Sequence, residues 1–434
     1  MSARRAGKSA SGIPAKVEEA ALTGTNRGAG RSTGRVVSGQ AGGAFREAGG
    51  PGAEPAAGPA GGRPGAGEAS PGGSSRGGAS AGGASPRKGR LGGVSAARTG
   101  LRSAGARLSA LAAAIALLGV VAVLGLRFGS IPISTSDAID ALFRYSAESY
   151  EQTVVRFLRL PRTVIGLGVG AALAVSGAAM QATTRNPLAD PSILGVNAGA
   201  AFGVVTAVYF GQMTHPLQFV WFAFAGGLAA SAVVYAIGSV GSGGATPVKL
   251  ALAGVVISAL LNSWLTGLLL FSRETLDVVR FWLAGSLAGR DLSVFFAVLP
   301  FLVVGVVGML LSAEQLNVLS MGEETARALG MHTGRTRLLI TALGVLMVGA
   351  AVAAAGPIGF VGLAVPHIVR SVVGPDYRWV LPFCVVVGPL MLLSADIVGR
   401  VIARPAEVQV GIVTAFVGAP FLIALARRRQ VADV

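Results

Sequence analysis

From residue 108 onward the chain holds runs of about 20 residues without a charged side chain, and this feature constrains the fold most. A hydrocarbon layer roughly 30 Å thick is crossed by about 20 apolar helical residues. Inside it every backbone amide must find its partner within the protein, which favours helices. Ten spans are predicted: 108–126, 163–182, 192–210, 217–238, 250–271, 292–312, 338–355, 358–373, 379–395 and 408–426. The seventh and eighth must be separate, because residues 338–373 as one helix would reach about 54 Å at 1.5 Å per residue. Gly356-Pro357 supplies the break, since proline lacks an amide donor and clashes with the preceding turn. The expected fold class is an all-α polytopic membrane protein of about ten transmembrane helices.

Composition agrees. Only 13% of the 434 residues are charged, against roughly 25% in ordinary soluble chains. The net charge of +16 would suggest an acidic partner if it were spread evenly, but residues 1–107 carry 16 Lys/Arg against 5 Asp/Glu. That stretch is rich in Gly, Ala, Ser and Pro with few large apolar side chains, so residues 1–106 are expected to be a disordered cytoplasmic tail. Its arginines are scattered singly without interleaved aromatics, which argues against nucleic acid as a partner and for a topogenic role. A membrane domain is expected over residues 107–428, with a short cytoplasmic tail over 429–434.

An even number of spans puts both termini on one side. Arg90, Arg98, Arg102 and Arg107 before the first span and Arg427-Arg428-Arg429 after the last favour the cytoplasm, and the plasma membrane is the expected location. Outside the tail, ten Lys/Arg fall on each side of the membrane in this scheme, so the outer arginines call for another use. Small residues at four-residue spacing, Gly166 with Gly170 and Gly199 with Gly203, predict close helix packing in lipid. Within an apolar span, Gly166-Leu167-Gly168-Val169-Gly170 is a packing face and not a nucleotide loop. With one cysteine and three separated histidines, no disulfide, metal site or cofactor is expected.

Three segments are distinctive. Arg159-Leu160-Pro161-Arg162 opens the second span and leads through Gly170-Ala171-Ala172-Leu173-Ala174-Val175-Ser176-Gly177 to Asn186-Pro187-Leu188-Ala189-Asp190-Pro191. Gly356-Pro357-Ile358-Gly359-Phe360-Val361-Gly362-Leu363 precedes Pro366-His367-Ile368-Val369-Arg370. Ala395-Asp396-Ile397-Val398-Gly399-Arg400 is followed by Gly411-Ile412-Val413-Thr414 and Gly418-Ala419-Pro420-Phe421. In order and spacing these resemble the FecCD or BtuC type of permease, found in binding-protein-dependent ABC importers of iron-siderophores, haem and cobalamin. The resemblance covers about residues 108–428.

That resemblance implies a permease without chemistry of its own, paired with a second copy or a paralogue in the lipid bilayer. Cytoplasmic ABC ATPase subunits would sit below it and an extracytoplasmic substrate-binding protein above. It also gives meaning to the segment between the sixth and seventh spans. Ser320 and Glu323 have capping-box spacing, Glu323 and Arg327 can pair at i,i+4, and Gly330 suits a left-handed stop, so a short helix is predicted over 321–329. By resemblance this is the coupling helix, with Glu323, Glu324, Arg327, Ala328, Leu329 and Gly330 meeting the ATPase; on spacing alone it is a capped connector. Arg159, Arg162 and Arg400 fall at outer span ends, where family members dock acidic groups of the binding protein. Without the resemblance they read as interfacial side chains, with Arg400 paired to Asp396 at i+4.

The expected function is inward passage of ferric-siderophore complexes by alternating access driven by a separate ATPase. Haem and cobalamin are the alternatives within the family. An ion-coupled secondary transporter usually holds ionisable groups at mid-depth, and the candidate spans carry none there. A membrane-embedded enzyme finds no nucleophile, metal cluster or carboxylate pair to carry it.

Overall fold

The computed structural model describes residues 103–129, 131–241 and 245–430. Most of the 1–106 tail and the last residues of the 429–434 tail, both expected from sequence, lie outside the described residues. The described chain is helical with no strand.

Seven helices are long and apolar enough to cross a membrane, counting the segment Tyr150–Thr184 as one. They are α1 (Ala104–Arg127), α4 (Leu160–Thr184), α6 (Pro216–Ser239), α7 (Pro247–Phe271), α9 (Leu292–Leu311), α12 (Thr333–Ala355) and α14 (Tyr377–Ile402). Three shorter apolar helices, α5 (Val196–Gly211), α13 (Val361–Val373) and α15 (Val410–Gln430), bring the set to the expected ten. Short helices fill the connections: α2 (Thr135–Phe143), α3 (Tyr150–Val154), α8 (Arg273–Leu283), α10 (Ala313–Ser320) and α11 (Glu323–Ala328). Their starts follow local chemistry. Ser103, Ser134 and Ser272 accept from amides of the first turn, and Pro247 occupies a first-turn position where no amide donor is missed.

Two of the short spans explain themselves. Before α5 a 3-10 turn, Pro191–Leu194, enters the bundle and adds the missing length. Before α13 the chain does something the apolar pattern did not predict. The α12 helix ends at Ala355, whose carbonyl accepts from the Ser286 amide, and Gly356 leaves it with φ of 76°. Residues 356–360 then run back into the bundle. The α13 helix starts only at Val361, where Gly362 lies against Leu173 and Gly177, more than halfway along α4. At about 20 Å, α13 crosses part of the layer, and the extended segment covers the rest. Such backbone is tolerated at membrane depth because protein surrounds it.

The core centres on α4, with α12 and α14 against it, while α1 and α7 lie at the periphery with most of their apolar surface exposed. Glycines set the closest approaches. A Cβ on Gly170 would stand 2.6 Å from Cα of Pro389, so α4 and α14 touch backbone to backbone. Gly199 and Gly203 lie in the same way against Gly226 and Phe222 of α6. The four-residue pattern is therefore a packing face, as expected.

Candidate functional site

Two clusters of polar side chains stand at opposite ends of this core, and α4 and α14 join them. At one end Arg162, in the first turn of α4, spans two acids. Its Nε and Nη2 donate to Asp396 Oδ1 at 2.9 and 2.7 Å, and its Nη1 donates to Glu407 Oε2 at 2.7 Å. Asp396 lies on α14 with no exposed surface, and its other oxygen takes Arg400 Nη2 at 2.9 Å. The second Arg400 nitrogen donates to the Gly125 and Phe128 carbonyls at 2.8 and 2.9 Å. Arg159 completes the set, donating to Leu126 and Arg127 carbonyls at 2.9 and 2.6 Å and to Ile131.

The physical reason lies in the end of α1. The last carbonyls of a helix have no partner in it and carry partial negative charge, and such a group left bare in a membrane costs several kcal/mol. Arg159 and Arg400 satisfy those of α1 and tie it to α4 and α14. The three arginines are only 6%, 7% and 2% exposed, and with two acids among them the cluster keeps one net positive charge. Together with Gly129, Tyr150 and Glu407 they line a cleft of about 210 Å³. Thus the i,i+4 pair of Arg400 with Asp396 is present, and Arg162 shares its carboxylate. Arg290, one of the ten Lys/Arg assigned to the outer side from sequence, follows the cleft-lining Gly289. Its Nε is buried with no partner among the described residues, and burial lowers its pKa to about 10, so it stays charged at neutral pH.

At the opposite end the predicted short helix is present as α11, with its boundaries moved inward. The capping box is not formed: the Ser320 hydroxyl donates to the Asn317 carbonyl, and Gly322, with φ of 120°, occupies the N-cap. Ser320 is instead the last residue of α10, and its hydroxyl is engaged within that helix. The C-terminal stop is as expected. Gly330 has φ of 81°, its amide donates to Arg327, and the Met331 amide reaches back to Ala326. Glu323 pairs with Arg327 at 2.6 Å and with Arg337 of α12 at 3.4 Å. Ala326 is buried, whereas Glu324, Arg327, Ala328 and the apolar Met321 and Leu329 are exposed. Beside them a polar cleft of about 590 Å³ is lined by Glu323, Glu324, Arg327 and by Arg185 from the end of α4.

Behind α11, α10 is fastened to α14. Asn317 Nδ2 donates to Asp376 at 2.7 Å, its Oδ1 accepts the Tyr377 amide at 2.9 Å, and Arg378 pairs with Glu314 at 3.1 Å. The sequence reading did not single out Asn317, since its partners lie 59 and 60 residues away. Among the described residues no group of three His, Cys, Asp or Glu could hold a metal ion. The two polar ends are joined by the helices α4 and α14.

Comparison with known proteins gives this arrangement its class. Residues 115–428 match the model of the FecCD transport family. The chain is 45% identical to the Fe(3+)-citrate import system permease of Bacillus subtilis over 72% of its own length and 93% of that protein. It is also 45% identical to the ferric enterobactin transport system permease of Escherichia coli, over 74% and 96%. The cobalamin import system permease of Halobacterium salinarum shares 43% over 68% and 79%. A solved metal-chelate-type ABC transporter in an inward-facing conformation superposes with a TM-score of 0.65 at 31% identity, covering 74% of this chain and 99% of that one. The chain belongs to the FecCD transport family, and it is a multi-pass ABC-importer permease of the plasma membrane.

Proposed function

We propose that this member of the FecCD transport family is the translocating subunit of an ATP-driven importer of ferric-siderophore complexes. The observation that carries the reading is the pairing of two polar ends through one rigid core. The α14 helix, about 39 Å long, is held at one end by Asn317 and at the other by Arg162. In this reading the α11 end faces the cytoplasm, as do both termini, and residues 107–428 are the permease unit. A cleft of each ATPase subunit takes Glu323, Glu324, Arg327, Ala328, Leu329 and Gly330, with Met321 and Leu329 as the apolar contact. Closure of the ATPases shifts α11, α10 passes the shift to α14, and the bundle changes between outward and inward openings. Such a change is a population shift that ATP binding drives by contacting one state better.

At the other end the extracytoplasmic binding protein delivers the substrate. Arg159, Arg162 and Arg400 form the floor of the cleft that receives an acidic group of that protein, and the one net positive charge they keep beside Asp396 and Glu407 gives its sign. Because they are buried and already bonded, they act chiefly by holding the receiving surface in shape. A second permease chain, identical or paralogous, completes the pathway in the bilayer.

Iron is preferred as cargo because two relatives at 45% identity are named for ferric citrate and ferric enterobactin. Uptake of radiolabelled ferric-siderophore, haem and cobalamin by cells with and without this chain tests the assignment. Ferric-siderophore uptake that falls to background on deletion and returns on complementation is expected. Unchanged iron uptake, with loss confined to haem or cobalamin, would reassign the cargo.

A further inference from the structure

Pro366 lies inside α13 and brings no amide hydrogen, so the Gly362 carbonyl one turn earlier loses its helical partner. A bare carbonyl is costly away from water. Here the donor comes from another helix. Gln181, near the α11 end of α4 and 4% exposed, gives its Nε2 to the Gly362 carbonyl at 3.2 Å and to that of Leu363 at 3.3 Å.

The other side of the Gln181 amide is taken as well. Arg370, half-buried and one turn beyond Pro366, donates Nη2 to Gln181 Oε1. A guanidinium only donates, so this bond turns the amide and leaves Nε2 for the carbonyls. The same guanidinium lies beside the phenol of Tyr377, the first residue of α14. Tyr377 is 5% exposed, and its amide is the one that Asn317 of α10 accepts at 2.9 Å. A polar chain therefore runs from α10 through Tyr377 and Arg370 to Gln181, and it ends on the carbonyl that Pro366 leaves bare.

The two halves of α13 are held differently. Its first turn is fixed on α4, because a Cβ on Gly177 would overlap the Gly362 carbonyl. Beyond Pro366 the link to α4 passes through the Arg370 and Gln181 side chains. Proline is where helices bend, and at this position there is no intrahelical bond to break when the angle changes.

We propose that Gln181 is the positioning residue through which a shift of α14 reaches α4 and α13, with Pro366 as the hinge. When α10 displaces Tyr377, Arg370 follows, the grip of Gln181 on the Gly362 carbonyl changes, and the second half of α13 turns against the first. The proposal rests on the coupling route given under the proposed function and adds the step inside the bundle. Hydrogen-bond networks between stiff elements are a physical carrier of such coupling.

The test uses the full transporter in proteoliposomes, this chain with its ATPase and binding protein. It reads the stimulation of ATP hydrolysis by the binding protein beside the melting temperature. Pro366→Ala returns the missing amide hydrogen to α13, so Gly362 no longer needs Gln181. If Gln181 only satisfied that carbonyl, Pro366→Ala would be fully active and would restore Gln181→Leu in both readouts. The hinge predicts otherwise. Pro366→Ala should melt at or above wild type while stimulation falls about five-fold or more, the lower end of what a coupling interaction transmits. Gln181→Leu should lose stability and stimulation, and adding Pro366→Ala should bring back stability alone. Arg370→Gln should lower stimulation in the same way. Wild-type stimulation in Pro366→Ala or Arg370→Gln, or its return in the double variant, would overturn the proposal. Should Pro366→Ala or Gln181→Leu fail to fold, Arg370→Gln decides the matter. Stimulation absent from wild type would instead remove the importer reading, and this link with it.

Discussion

With no surface of its own exposed, Asp396 carries two guanidinium groups, and its removal leaves both of these nearly buried cations without their shared carboxylate. Breaking a buried ion pair from one side costs about 3–5 kcal/mol. We expect Asp396→Ala to lose stability of that order in reversible unfolding from mixed micelles. Arg162→Leu combined with Asp396→Leu should recover part of it, because the buried charges leave together; wild-type stability of the single variant would contradict the assignment. Which part of this was legible follows from sequence distance. The pair of Arg400 with Asp396 is four residues apart and was readable. Arg162 and Asp396 are separated by 234 residues, and the α1 carbonyls that hold Arg159 carry no sequence mark. Charge at a span end therefore suggested an outward-facing group, where the fold turns the side chains inward.

At the scale of the element, α11 and the α4–α14 contact invite opposite experiments. Glu323→Arg with Glu324→Arg changes a half-exposed and an exposed side chain, and the pair Glu323–Arg327 is worth only about 0.3–0.5 kcal/mol. The double variant should melt within a few degrees of wild type yet lower substrate-stimulated ATP hydrolysis in the assembled transporter by ten-fold or more. Normal stimulation would count against α11 as the coupling element. Gly170→Leu should do the reverse and prevent stable folding, read as loss of the monodisperse peak, since backbone of α14 stands where the side chain would go. Element existence was legible because an apolar run and its length are local properties. The start of α13 was not, because the inward path of 356–360 depends on Gly362 meeting α4. Nor were α2, α3 and α8 predicted; α8 earns its place by burying Val279 and Trp282 against the bundle, a tertiary reason.

For the whole molecule, the consistent feature is that the buried charges gather at one end of the bundle, around Asp396, and leave the middle of the spans apolar. It fits a path that lets a bulky chelate through while the charged work is done at the two ends. The central claim is that movement of the substrate requires ATP hydrolysis by a partner seated on α11. It is tested most directly by counting labelled ferric-siderophore inside proteoliposomes that contain this chain, its ATPase and its binding protein. The account predicts accumulation with ATP, background levels with a non-hydrolysable analogue, and background again when Glu323 and Glu324 are reversed. Accumulation without the ATPase that follows an imposed proton or sodium gradient would contradict it.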